Sequence, residues 1–305
     1  MAWLKIGIVL LGLLVLLWLV ALALGAVLWP SRVEGLVRRL QAAEMPLTAP
    51  RAEDATLATL PPPVARYLHK VLPRDLPALR RVEMEHAGRF NMGEGADNWK
   101  PFTSRQTVSL NRPGFVWDGR IGMAPGLPVR VIDAYVAGEG VLAPSLLGLF
   151  PLTRLEGGGS IAEGELLRWL AEAAWYPSAL LPGQGVTWVA IDDRSAEARL
   201  TDGAVSVRLL FRFGPDDLIA TVRAEGRGRL LAGEMVPTPW EGRWWGYQRH
   251  DGVLVPMAGE VSWILSEGPK PYWQGRVTAL RPISDPAPQR PRIRGSSASR
   301  KPSPM

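Results

Sequence analysis

Arg168, Glu172 and Trp175 stand four and three residues apart in the run Ala162–Tyr176, a spacing that puts all three on one face of a helix. An Arg and a Glu so placed can pair. Two readings are open: a solvated ion pair worth about 0.3 kcal/mol, or, on a helix held inside a curved sheet, a polar anchor for a ligand headgroup or carboxylate. Asp133, alternating with Ile132 and Ala134, and Asp192-Asp193 after Trp188 are the other carboxylates near apolar strands. A hydrolase or isomerase would have to draw its acid and base from Glu172, Asp133 or Asp192, with one carboxyl tuned upward in pKa. The chain has no cysteine and three histidines, none spaced as a metal pair. Thiolate catalysis, iron–sulfur clusters and Cys-ligated zinc are excluded, and a His-rich metal site is argued against. Neither a Gly-x-Ser-x-Gly elbow nor a phosphate-loop pattern occurs. No catalytic residue, metal or cofactor is assigned.

Tryptophan is the strongest compositional signal, with thirteen against five tyrosines and six phenylalanines. Ten of these, Trp99 through Trp273, follow the apolar N-terminal segment. Trp offers a large apolar surface with one N–H donor, which suits both a wide core and a cavity for a flat or greasy ligand. Core is the default for any single one, whereas three or four facing one cavity would line it. The ligand-site candidates are Trp117, Asp133, Tyr135, Arg168, Glu172, Trp175, Trp188 and Trp263.

The elements that must position these residues are mostly strands. Arg81–Met92, Ser104–Leu110, Phe115–Ile121, Val129–Ala137, Val186–Ile191, Ala196–Leu200, Ala204–Phe213, Leu218–Ala224, Gly242–Arg249, Gly259–Leu265 and Tyr272–Leu280 read as strands separated by Gly, Pro and Asp turns. Ala162–Tyr176 is the one convincing helix among them, with Glu163 and Glu165 placed to suit the dipole of its first turn. Short connections argue antiparallel pairing. The expected fold is mainly β within an α+β class: a large curved antiparallel sheet or half-barrel wrapping one or two helices, behind an N-terminal transmembrane helix.

Ile6–Trp29 carries no charge over 24 residues, long enough for a helix to cross a bilayer, with Trp3 and Trp29 at its ends. Pro30 is expected to end it, and Ser31 to cap a separate juxtamembrane helix. A cleaved signal peptide is the alternative, because Lys5 gives a positive start and Ala21-Leu22-Ala23 small residues at a cleavage spacing. Arg32, Arg38 and Arg39 after the span favour a cytoplasmic domain, whereas the short Lys-bearing N-terminus suits an extracytoplasmic one. The expected division is a short N-terminus (1–5), a transmembrane helix (6–29), a juxtamembrane helix and linker (30–58), a β-rich domain (59–281) and a disordered basic tail (282–305). The net charge is +6, and Arg281, Arg290, Arg292, Arg294, Arg300 and Lys301 against Asp285 supply +5 of it. The domain is then nearly neutral, which argues against nucleic acid as a partner. The expected partners are the membrane and a lipid or other hydrophobic ligand. A scaffold in an envelope complex, with the tail touching anionic headgroups or an acidic partner, is the remaining class.

The stretches Leu60-Pro-x-Pro-Val64-x-Arg66-Tyr67-Leu68, Trp99-x-Pro101-Phe102, Phe115-x-Trp117, Asp133-x-Tyr135-x-x-Gly138-x-Gly140, Arg168-x-Leu170-Ala171-Glu172-x-x-Trp175-x-Pro177 and Pro271-Tyr272 resemble a bacterial family known only as a domain of unknown function, often behind a membrane anchor. That resemblance implies no activity. The run Phe102–Trp117 is similar to the opening hairpin of the lipoprotein-carrier (LolA-like) half-barrels, in which a curved sheet wraps a helical plug over an apolar cavity. This second resemblance implies an acyl chain or similar molecule held between Trp117 on the sheet and Arg168, Glu172 and Trp175 on the plug. A permanent anchor departs from a shuttling carrier and implies receiving, holding or sensing a lipid at one membrane.

Overall fold

The computed structural model describes residues 1–46, 54–75, 78–93 and 95–284. One sheet forms the body. Its strands are β1 (Leu79–Asn91), β2 (Trp99–Ser109), β3 (Gly114–Ala124), β4 (Leu127–Val136), β5 (Glu139–Leu146), the short β6 (Phe150–Pro151) and β7 (Leu155–Gly157), then β8 (Val186–Asp192), β9 (Ser195–Asp202), β10 (Val205–Phe213), β11 (Ile219–Leu231), β12 (Glu234–His250), β13 (Val253–Leu265) and β14 (Gly268–Ser284). The order is β6-β5-β4-β3-β2-β1-β14-β13-β12-β11-β10-β9-β8, with β7 beside β5, and every pairing is antiparallel. Two meanders are thus joined where the first strand meets the last. Tight turns join neighbours: at β12–β13, Asp251 and Gly252 both have positive φ (49° and 84°), the two-residue turn that matches strand twist.

The sheet curls around α4 (Ser160–Ala171), which touches β3, β4 and β5 of one meander and β10 and β11 of the other. Helical turns Glu172–Trp175 and Pro177–Leu180 follow it, and Trp169, Leu170, Ala173, Ala174, Tyr176 and Leu180 fill the end of the curl where β2, β4 and β12 finish. Helix α3 (Pro62–Val71) covers that end with Val64, Tyr67, Leu68 and Val71; a four-residue α2 (Asp54–Leu57) precedes it. This is the large curved antiparallel half-barrel that the alternation implied. Three strands, β5, β6 and β7, lie where no alternation was visible, since Gly140, Pro144 and Pro151 break the pattern of β propensity.

Pro30 does not end the first helix. α1 runs unbroken over Ala2–Ala42, and Ser31, the expected cap, instead bonds the Leu28 carbonyl at 2.8 Å. An interior proline costs about 3 kcal/mol. Docking offsets it: Trp29, Val33, Leu36, Val37 and Leu40 pack on Val116, Ile132, Ala134 and Val136 of the outer face of β3 and β4. Trp29 Nε1 donates to Asp118 Oδ1 at 2.8 Å, and Arg39 pairs with Glu139 at 2.7 Å. β3 is therefore buried on both faces, with Phe115 and Trp117 inward and Val116 under α1. Among the described residues α1 alone is long and apolar enough to cross a membrane. The basic tail lies outside the described residues from 285 onward, and Pro282–Ser284, expected in it, extend β14.

Candidate functional site

Inside the curl, between α4 and the inner face of the sheet, is a cavity of about 510 Å³. Its wall is largely tryptophan: Trp117, Trp175, Trp240, Trp244, Trp263 and Trp273. How rings this large leave space between them follows from their partners. A Cβ on Gly119 would lie 2.1 Å from the Trp117 ring, one on Gly275 would lie 2.3 Å from Trp273, and one on Gly259 would lie 2.5 Å from Trp244. Each ring lies flat over a glycine of the sheet, the arrangement by which an aromatic covers an otherwise bare backbone. The wall is smooth and apolar instead of filled.

The inner half of the cavity is charged. Arg168 of α4 reaches Asp133 on β4 (Nη1 to Oδ2, 2.5 Å) and Glu172 (Nε to Oε1, 2.7 Å), and lies 4.8 Å over Phe115 and 5.3 Å over Trp117. Gln106 of β2 donates to Glu172 at 2.6 Å. The Arg168–Glu172 pair is buried, with side chains 15% and 10% exposed, so the solvated surface pair is overturned. A second arginine, Arg227 of β11, donates to the Gly164 carbonyl at 3.1 Å, to Tyr272 at 3.2 Å and to Glu165 at 3.4 Å, under the ring of Trp240. Glu165, expected only to complement the helix dipole, is buried, because α4 is enclosed on nearly all sides.

Burial pushes the Glu165 carboxyl well above the usual carboxylate range, and the Asp133 charge adds to the rise against the opposing Arg227. Burial alone would lower the Arg168 pKa, but Glu172, Asp133 and Glu165 together raise it, so the guanidinium stays charged. Two arginines, Arg168 and Arg227, thus face three carboxyl groups, Asp133, Glu165 and Glu172. Asp133 Oδ1 and Glu165 Oε2, the oxygens that the arginines leave free, are buried beside the cavity, and a hydrogen bond between the two carboxyl groups adds to the rise in the Glu165 pKa. His86 of β1 lies behind Trp175 with ring centroids 4.9 Å apart; burial, and next the Arg168 charge, lower its pKa from 6.5 to about 3. It is neutral at physiological pH. Among the described residues no group of three or more His, Asp or Glu is arranged to hold a metal ion.

Of the residues singled out from sequence, Trp117, Asp133, Arg168, Glu172, Trp175 and Trp263 line this cavity. Tyr135 and Trp188 do not. Tyr135 donates to Asp202 at 3.0 Å, and Trp188 bonds the Leu180 carbonyl at 3.2 Å with its ring edge on Phe211. Asp192 is exposed at the end of β8, away from the cavity. Sequence reasoning passed over Gln106, Glu165, Arg227, Trp240, Trp244, Tyr272 and Trp273. One signal could have found part of the set: Trp-x-Gly occurs at Trp117-x-Gly119, Trp240-x-Gly242, Trp244-x-Gly246 and Trp273-x-Gly275, each with its first Trp on the inner face.

A curved antiparallel sheet, a helical plug and a tryptophan-walled cavity with a buried charged network define a half-barrel with an enclosed apolar site. Residues 58–281 match a family of unknown function, DUF6920, and the chain belongs to that family. No curated protein matches the sequence. Among solved structures it is similar to a LolA superfamily protein from Nitrosomonas europaea, with 11% identity over 68% of this chain and 87% of that one and a TM-score of 0.36. A β-barrel-like protein of the domain of unknown function DUF1849 from Brucella abortus shares 11% identity over 68% of this chain and all of its own, with a TM-score of 0.20. Likenesses this loose bring neither protein's ligand to this chain.

Proposed function

We propose that the protein is a membrane-anchored binding protein that holds a lipid or other hydrophobic molecule between sheet and α4, with a polar group of the ligand at the Arg168 network. The observation that carries this reading is the cavity itself: about 510 Å³ walled by flat tryptophans, of a size and polarity suited to one small amphiphile. The charged groups at its inner end already neutralise one another, so they suit a neutral hydrogen-bonding group better than a free charge. A ligand hydroxyl or amide would meet the Asp133–Glu165 carboxyl pair, whose Oδ1 and Oε2 have no arginine partner. α1 supplies the anchor, its apolar run being long enough to cross a bilayer.

A carboxylate-dependent hydrolase or isomerase is the second reading. Favouring it, burial raises the Glu165 pKa well above the usual carboxylate range beside a second carboxyl group, Asp133. Against it, Glu172 and Asp133 are both committed to Arg168.

The test is titration of the detergent-solubilised full chain, its intact mass verified, with 9,10-dibromostearate supplied as its neutral amide, whose bromines quench nearby tryptophan. Saturable quenching near one equivalent is expected. In Gly119→Ala the new Cβ would displace the Trp117 ring into the cavity, and the saturable phase should be lost while the unfolding midpoint stays within a few degrees. Trp263→Ala, at a half-buried wall position, should weaken binding without filling the site. Quenching that rises linearly with detergent partition in all three proteins overturns the reading.

A further inference from the structure

The two ends of the half-barrel differ, and α1 runs from one to the other. At the closed end Leu40 lies against Gly114, Arg39 pairs with Glu139 and Glu44 with Arg80. Toward the open end, a Cβ on Gly25 would lie 1.9 Å from the Leu147 carbonyl oxygen, and one on Gly126 would lie 2.4 Å from the Trp18 ring. The β3–β4 and β5–β6 turns are thus held flush against α1 between Trp18 and Gly25, inside its apolar run. Residues 2–17, about 24 Å at 1.5 Å per residue, continue past this end without covering it. The cavity opens in the same direction, with Met92, Gly93, Leu152, Leu231, Met235 and Lys270 around its mouth.

The mouth has two unlike lips. Beside α1, residues 121–129 (IGMAPGLPV) and 140–153 (GVLAPSLLGLFPLT) contain no charged side chain. Opposite, the hairpin tips carry Asp97, Glu234 and Glu267. Ten large apolar side chains are exposed outside α1 among the described residues, and five of them, Met92, Leu127, Phe150, Leu152 and Val236, are at the mouth end. Phe150 and Leu152, 56% and 57% exposed, point from the lip nearest the helix. Surfaces of this kind are rarely left to water.

We propose that this uncharged lip inserts into the bilayer that α1 enters, so that the cavity mouth opens into the membrane interface and the hydrophobic ligand passes laterally between bilayer and cavity without crossing water. The charged far lip, with Asp97, Glu234, Glu267 and Lys270, stays on the aqueous side and sets the tilt. The inference rests on the anchor and cavity assigned above. It goes beyond them in naming the docking surface and the route of loading. A bilayer is the occupant that this arrangement supports, because the lip is packed on the same apolar helix at the depth of its own apolar run.

The absence of cysteine makes the test direct. Single variants Phe150→Cys, Leu152→Cys, Asp251→Cys and Glu267→Cys of the full chain are labelled with an NBD fluorophore in phosphatidylcholine–phosphatidylglycerol nanodiscs. Labels at Phe150 and Leu152 should be blue-shifted and at least twofold quenched by 5-doxyl-phosphatidylcholine. Labels at Asp251, on the closed end, and Glu267, on the far lip, should be neither. Equal exposure of all four positions to water overturns the proposal, as does a blue shift at Phe150 without doxyl quenching, which would mean that protein covers the lip. The double variant Leu127→Asp, Phe150→Asp, at two lip residues outside the cavity lining, should slow transfer of the dibromostearate amide from vesicles at least fivefold, with its affinity in detergent unchanged. Unchanged transfer again overturns it. Lip quenching in a chain that binds no dibromostearate amide would separate the two readings, keeping the membrane contact and discarding the cavity ligand.

Discussion

The inner end of the cavity buries charge, while its mouth exposes apolar surface. A folded chain ordinarily does the reverse at both places, and the difference shows which side chains are complete and which await a partner. Arg168 has Asp133, Glu172 and two aromatic faces around it, so its burial is compensated within the chain. Phe150 and Leu152 have nothing of the kind. Stability is thus concentrated at one end and recognition at the other.

The largest test of that contrast is Arg168→Met. It leaves two buried carboxylates without their cation and should cost about 3–5 kcal/mol in denaturant unfolding of the solubilised full chain. Adding Asp133→Asn and Glu172→Gln should restore much of the loss, and no recovery would mean that the network is packing alone. Acid should act at the same end. His86 has a folded pKa lowered from 6.5 to about 3, so the unfolded chain binds its proton first. Its contribution is complete above pH 6.5 and is lost as pH falls toward about 3. Glu165 has the opposite sign: raised above 4.5, its contribution is complete below that value and is lost as pH rises through the folded pKa. His86→Gln should flatten the acid limb of the stability curve and Glu165→Gln the limb at higher pH, each by a few kcal/mol at most.

Between the two ends, Gly25→Val would force α1 off the Leu147 carbonyl and should cost about 1–3 kcal/mol by thermal melting. Trp29→Phe removes the indole donor to Asp118 and should cost about 1 kcal/mol. The smallest effect belongs to the mouth: Phe150→Asp with Leu152→Asp should change the stability of the detergent-solubilised chain by no more than about 0.5 kcal/mol. A larger loss there would mean that the lip is part of the core and would erase the contrast.

The wall was legible from period-two alternation and the plug from its Leu stripe, and the Arg168–Glu172 spacing pointed at one corner of the network. The remainder was hidden for physical reasons. On β2, Phe102, Ser104, Gln106 and Val108 face inward, so the inner face carries polar residues and alternation could not single it out. On β11 the register shifts between Ala224 and Arg227, and such a bulge changes which face a counted residue occupies. Asp133 meets Arg168 across 35 residues, a distance no local pattern reports. Pro30 misled because the helix rule is local, whereas the surface that holds α1 straight comes from β3 and β4.

The pairing of β1 with β14 sets the order of events during synthesis. Leu79 finds Ser284 only after some 200 intervening residues have left the ribosome. Until then β1 presents one open edge, while α1 and the meander β1–β7, on which it packs, have already been made. Closure of so distant a pair is slow, because chain entropy must be given up before the contact forms. The nascent half-wall therefore spends its early life with its hydrogen-bonding edge and its tryptophans uncovered, and a holding chaperone or the bilayer surface itself would guard it from aggregation during that interval.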